Sequence, residues 1–220
     1  MKVLVIDVGG TNIKLLATGQ TEVRKFPSGP TMTPDQMVHG VKQETADWQF
    51  DSISMGYPGP VIGGHPAFEP ANLAPGWVGY DFAAALGKPV RVVNDAAMQA
   101  LGSYDAGRML FLGLGTGLGS ALIIEKVVAP LELAHLPYRK GRTFEDYVGK
   151  RGFKRLGKRK WQRAVEDVVA RLQAAFVTHN VVIGGGNAKK LKHLPPGARL
   201  GDNNNAFLGG FRLWEDYVHG

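Results

Sequence analysis

The stretch Val3-Leu4-Val5-Ile6-Asp7-Val8-Gly9-Gly10-Thr11-Asn12-Ile13-Lys14-Leu15-Leu16-Ala17 admits few folds. Two apolar runs of strand length are joined by four turn-forming residues, so they read as an antiparallel pair. The paired glycines leave no Cβ to keep a ligand from the backbone. Amide N–H groups in such a turn can converge on an anion. Thr11 and Asn12 add side-chain donors, Lys14 adds a charge, and Asp7 stands where a Mg²⁺ ion could be held through water. A glycine hairpin with no ligand is the plainer reading. The acid before the turn, the hydroxyl within it and the lysine after it favour a phosphate cradle.

The rest of the chain reads as alternating strands and helices. A third strand is expected over Thr21–Phe26, followed by a break from Pro27 to Pro30. Thr33, Pro34 and Gln36 spell a capping box with proline in the first turn, opening a helix that runs to about Trp48. Asp51–Tyr57 reads as a strand, and Val61–Pro75 as a long shaped loop of the kind that binds something. Asp81 caps a short helix to Leu86, Pro89–Val93 is a buried strand, and Ala96–Tyr104 is a helix. Arg108–Leu114, a glycine turn and Ser120–Glu125 then repeat the opening hairpin in weak form. Phe144 begins a helical region, and apolar residues from Trp161 to Phe176 fall on one helical face. Val181–Ile183 is a strand ending in Gly184-Gly185-Gly186-Asn187, Ala188–Leu191 starts a helix, and Asn205–Tyr217 closes the chain as one. The lobe boundary falls near Asn94–Gly107.

Composition narrows the setting. There is no cysteine, which excludes disulfides and thiolate-bound zinc and fits a reducing compartment. No signal peptide is expected at the start and no apolar run has membrane-spanning length, so a cytoplasmic protein is expected. The formal charge of +7 suggests an anionic partner without naming it.

Three glycine turns, at Gly9, at Gly115-Thr116-Gly117 and at Gly184-Gly185-Gly186, each follow an apolar strand. A dinucleotide fold needs G-x-G-x-x-G opening a helix. Ser120 occupies the last position of the second turn and a strand follows it, so that fold is disfavoured. Asn94-Asp95 stands between a buried strand and a helix start. Either residue could simply cap the helix, but a carboxylate at a strand end facing a cleft is also what phosphoryl transfer to an alcohol requires. Glu132, His135 and Glu145 offer acceptors and an imidazole suited to sugar hydroxyls; a metal site is the rival reading for Glu132 and His135. The run from Arg139 to Arg163 is densely basic, either a solvated helix face or a track for a polyanion.

Taken together these residues resemble the ROK sugar kinases. Asp7 to Lys14 is similar to the family's first phosphate motif and Leu112 to Ser120 to its second. Asn94-Asp95-Ala96 resembles the catalytic motif, which implies Asp95 as general base. Glu132-x-x-His135 is similar to the sugar-binding E-x-G-H motif, with Ala134 where the family has glycine. Glu145 falls where another sugar-binding glutamate is expected. Gly184-Gly185-Gly186 resembles the adenosine-side motif. The resemblance extends the sugar site to Gly59, Asn72 and Asn94. Within the family, the missing zinc cysteines, replaced by Tyr138 to Thr143, are most similar to the polyphosphate/ATP glucokinase branch.

The resemblance implies an α/β, actin-like ATPase (ribonuclease H-like) fold of two lobes, 1–95 plus 205–220 and 96–204. It implies a homodimer that phosphorylates glucose or mannose from ATP or polyphosphate with Mg²⁺, without structural zinc and without nucleic acid or membrane as partner. A kinase of another hexose or an N-acetylated amino sugar, or a sugar-sensing relative without catalysis, are the rival expectations.

Overall fold

The computed structural model describes residues 1–202, 204–215 and 218–219. The elements run β1 (Val3–Val8), β2 (Asn12–Ala17), β3 (Arg24–Pro27), α1 (Pro34–Glu44), β4 (Ser52–Tyr57), β5 (Val61–Ile62), β6 (His65–Pro66), α2 (Phe82–Leu86), β7 (Val90–Asn94) and α3 (Asp95–Ser103). They continue through β8 (Arg108–Leu114), β9 (Leu118–Ile124), β10 (Val127–Leu131), β11 (Pro137–Arg139), β12 (Arg142–Thr143), α4 (Phe144–Val148) and α5 (Lys150–Phe176). The chain ends with β13 (Val181–Gly184), β14 (Ala198–Leu200), α6 (Asn205–Arg212) and β15 (Val218–His219).

Two large sheets share one plan. The first has the order β3-β2-β1-β4-β7 and the second β14-β13-β8-β9-β10-β15. In each, a hairpin and a third antiparallel strand lie to one side, and two parallel strands lie to the other. The weak echo between the two hairpins is therefore a repeat of topology. Strands at the centre are apolar on both faces because helices cover both. Leu4, Ile6 and Val8 pack outward with α1 and α2, while Val3 and Val5 pack inward. Leu110 and Leu112 pack outward on α5, while Met109 and Phe111 pack inward.

The inward faces meet across α3 and α6. These two helices cross where each carries glycine. A Cβ on Gly102 would strike the backbone at Asn205, and one on Gly209 would strike the backbone at Met98. Gly210 lies against the Val5 side chain in the same way. The crossing clamps α3 between the sheets, and with it the residues at its N-terminus.

Several boundaries differ from expectation. α1 ends at Glu44, not near Trp48: the Thr45 hydroxyl donates to the Val41 carbonyl at 2.7 Å, and the chain turns so that Trp48 enters the core beneath the Arg24 guanidinium. The third strand starts at Arg24 because that is the residue paired with Leu15 on β2. The loop from Val61 contains the β5–β6 hairpin. Glu69 then gathers the N–H groups of Gly76 and Trp77, each at 3.0 Å. β10, β14 and the β11–β12 hairpin are additional strands. The expected helix at Ala188 is a single 3₁₀ turn. The closing helix stops at Arg212, and Tyr217 lies outside the described residues.

Candidate active site

The first glycine turn is fixed from both sides. Gly9 N–H donates to the Asn12 carbonyl at 3.1 Å, and the Ser28 hydroxyl donates to the Gly9 carbonyl at 2.5 Å. The N–H groups of Gly10 and Thr11 make no hydrogen bond among the described residues. Across the hairpin, Lys14 Nζ donates to Asp7 at 3.1 Å.

The second turn is held similarly. Gly115 N–H donates to Gly117 at 3.2 Å, and the N–H of Lys150, opening α5, donates to the Gly115 and Thr116 carbonyls at 3.1 Å. The N–H groups of Thr116 and Gly117 are unengaged among the described residues. Gly185, at φ +81°, lies so close to Leu114 that a Cβ would come within 2.6–2.8 Å of its backbone. The third turn thus leans on the second, and Asn187 locks the contact. Its amide donates to the Gly115 carbonyl at 2.7 Å, its N–H donates to Leu114 at 2.8 Å, and Lys190 holds its side-chain oxygen at 2.7 Å.

Between these turns lies a cavity of about 460 Å³. It gathers Gly9 and Gly10, Gly59 after β4, Asn72 of the long loop, and Asn94 and Asp95 at the start of α3. The other wall is Gly115, Thr116, Gly117, Gly185, Glu132, His135 and Glu145. Asp7, Thr11, Asn12, Lys14, Gly184 and Gly186 do not line it, although the Asp7 charge is felt at Asp95.

The structure separates the roles of Asn94 and Asp95. Asn94 is the cap: its oxygen accepts from Ala96 and Ala97 N–H at 3.0 and 3.2 Å, and its amide donates to the Gly59 carbonyl at 3.0 Å. Asp95 is the first residue of the helix and needs no capping duty, so its carboxyl is left facing the cavity. Gly119 makes room for this corner, because a Cβ there would press on the Ala96 methyl at 2.9 Å. Burial, and secondarily the nearby Asp7 charge, push the Asp95 carboxyl up to about 7, although Ala96 N–H donates to it. A carboxylate so poised is suited to take a proton near neutral pH.

Glu132 precedes, and His135 ends, a 3₁₀ turn over Leu133–His135. Burial, with help from Glu145, raises the Glu132 carboxyl, and His135 opposes the rise. Glu145 reaches from α4 over Gly117, where any side chain would collide with its carboxylate. The acid-and-imidazole wall therefore abuts the second glycine turn.

Two residues at the site are not marked by any motif: one lines the cavity and the other braces its second glycine turn. Gln99 follows Asp95 by one helical turn and lines the same cavity; the i, i+4 spacing on α3 was the available signal. Asn187 ends the third glycine run, but only the tertiary contact gives it a task. The basic run divides. Arg139 pairs with Asp167 at 3.1 Å, and Arg155 donates to the Asp146 carbonyl at 2.7 Å while lying over the Tyr147 ring. Lys154, Lys158, Arg159 and Arg163 remain exposed.

The ROK family model matches residues 3–129. An alignment 136 positions long, covering 56% of this chain, is 30% identical to part of the bifunctional enzyme NanE/NanK of Brucella melitensis; the match spans only 26% of that protein. The inorganic polyphosphate/ATP-glucomannokinase of Arthrobacter sp. strain KM superposes with a TM-score of 0.78 at 24% identity, over 94% of this chain and 96% of that one. A ROK family glucokinase from Streptomyces griseus, solved with glucose and AMPPNP, gives 0.77 at 16% identity, over 95% and 97%. The fold is that of these kinases, the actin-like ATPase fold.

Proposed function

The chain belongs to the ROK family, and from that premise we propose that it is a sugar kinase, moving a phosphoryl group from ATP or inorganic polyphosphate to the 6-hydroxyl of glucose, with mannose as a second acceptor. The observation that carries this reading is Asp95. It faces a cavity bounded by two glycine turns with unengaged N–H groups and by a carboxylate–imidazole wall, and its carboxyl is raised to about 7. Among the proteins of matching fold are a glucomannokinase and a glucokinase, which supports a hexose acceptor.

In this reading the sugar lies against Glu132, His135 and Glu145, where carboxylates accept and the imidazole can donate or accept. Asp95 takes the proton of the attacking hydroxyl as its oxygen bonds to the terminal phosphorus. The bond from that phosphorus to the bridging oxygen breaks, and the shortened donor leaves with the electron pair. The unengaged N–H groups at Gly10, Thr116 and Gly117, which line the cavity, stabilise charge spreading over the phosphate oxygens.

The residues present fit a magnesium ion. Mg²⁺ keeps most of its waters and takes one or two carboxylates with substrate phosphates. Asp7 is the carboxylate that would hold it through water: its charge is felt at Asp95, although it lies behind the cavity lining with Lys14 donating to it at 3.1 Å. Bound there, the ion would neutralise phosphate charge.

A coupled assay across a hexose and amino-sugar panel, with ATP and polyphosphate as donors at rising salt, tests the reading. Glucose is expected to give the highest kcat/KM. The KM for polyphosphate should climb steeply with salt, because a chain held by surface cations competes with counterions. The KM for ATP, gripped by backbone amides, should climb less. Sugar binding without turnover on any donor would refute the kinase. Turnover with ATP alone would remove polyphosphate.

A further inference from the structure

A second concavity, of about 480 Å³, lies between the exposed side of α5 and the chain around Lys192. It shares no lining residue with the catalytic cavity. Four basic side chains surround it: Lys158, Arg159 and Arg163 from α5, and Lys192 from a segment distant in sequence. Among the described residues, none of the four makes an ion pair or a side-chain hydrogen bond. This sets them apart from Arg139 and Arg155 in the same basic run, which are spent on Asp167 and on the Asp146 carbonyl.

The concavity is assembled by a buried amide. Gln162, 6% exposed, accepts from Lys192 N–H at 3.0 Å and donates to the His193 carbonyl at 2.9 Å, fastening the segment to the helix. The one carboxylate present, Glu166, is already engaged: Gln162 donates to it at 2.8 Å and His193 Nε2 lies 2.7 Å from the same oxygen. Against the single Glu166 carboxylate, the four cations leave the hollow with a net positive charge and focus a positive potential within it. A single carboxylate ligand would leave most of that charge unmet. Linked phosphate groups would meet it, and guanidinium groups bind phosphate oxygens in pairs.

We propose that this hollow is a second anion site, separate from the catalytic cavity, for a ligand carrying two or more phosphate groups. The ligand is either inorganic polyphosphate or a free bisphosphorylated small molecule, and both present the same chemistry to the four cations. The proposal goes beyond sugar phosphorylation and is read as binding, without turnover, so it stands or falls apart from the kinase reading.

Calorimetry tests it on the full chain with tripolyphosphate, fructose 1,6-bisphosphate and glucose 6-phosphate. The variants compared are K158Q/R159Q/R163Q/K192Q and a charge-matched set on the first sheet's side, K2Q/K25Q/K42Q/K88Q. All eight positions are exposed, so both sets should fold, and matching Tm values check this. The pocket set is expected to weaken tripolyphosphate or bisphosphate binding by at least about tenfold, the scale of several lost charge-assisted contacts. The remote set should change it by less than about threefold, as screened charges do. Preference for tripolyphosphate over the bisphosphate would assign the site to polyphosphate, and the reverse to a phosphorylated metabolite. Equal weakening in both sets, or none in the pocket set, would overturn the proposal. So would an oligonucleotide of matched charge binding as tightly as tripolyphosphate, since a general polyanion surface holds both.

Discussion

Replacing Asp95 with Asn should make the protein a poorer enzyme and a more stable fold at once. The fold raises this carboxyl from an ordinary 3.8 to about 7, mainly by burial and then by the charge of Asp7. Protonation is thus favoured in the native state. Between about pH 4 and pH 7 the unfolded chain releases this proton and the native protein keeps it, so wild-type stability falls as pH rises and levels off above 7. The full difference corresponds to about 4 kcal/mol at pH 8. Asn keeps the oxygen that accepts from Ala96 N–H at 2.7 Å but adds an amide with only cavity water to meet it, which leaves about 2 kcal/mol of net gain. For a chain of this size that is about 4–8 °C in Tm at pH 8; the gain falls to zero at about pH 5.5, where the charge penalty equals the cost of the amide, and becomes a loss of similar size near pH 4. Turnover should fall at least about 10²-fold, as when a general base is lost. Wild-type kcat/KM should rise with pH through a midpoint near 7, and the residual activity of the variant should lack that limb. Thermal melts at pH 4 and pH 8, with initial rates from pH 5.5 to 9, check all of this. Near-normal turnover, or a Tm at pH 8 no higher than wild type, would show that Asp95 is a structural residue and that its burial carries no charge penalty.

Further outcomes follow from the same geometry. Glu132→Gln and His135→Ala should each weaken sugar binding by about 1–3 kcal/mol and leave donor binding nearly unchanged; calorimetry with glucose showing no loss in either would remove both from the pocket. Asn187→Ala deletes the clamp on the Gly115 carbonyl, so the KM for ATP should rise by about tenfold, the scale of one buried hydrogen bond, with the sugar Kd unaffected. Gly209→Ala places a methyl against the Met98 backbone where α3 and α6 cross. Urea denaturation should show a loss of about 1–3 kcal/mol or more, and a wild-type midpoint would mean the helices can separate freely.

What the sequence determined by itself was local chemistry. Thr33, Pro34 and Gln36 open a helix because the cap is satisfied within four residues, and the structure shows that capping box. Asp81 caps α2 by the same logic. The apolar alternation of β1 and β8 placed each before a glycine turn, since strand and turn preferences act over a few residues. The motif residues on those turns and at Asn94-Asp95 were legible as residues. What only the tertiary structure decided was which of them meet and which are already occupied. Pro130 sits in β10 and Ala198–Leu200 forms β14 because neighbouring strands supply hydrogen-bond partners, something no local preference encodes. Trp48 leaves the helix because the core of the first sheet offers it burial. Asn94 takes the cap and leaves Asp95 to the cavity, and Gln162 draws Lys192 to the cations of α5. These outcomes depend on contacts between segments far apart in the chain, where packing and hydrogen-bond satisfaction outweigh the preference of any short stretch.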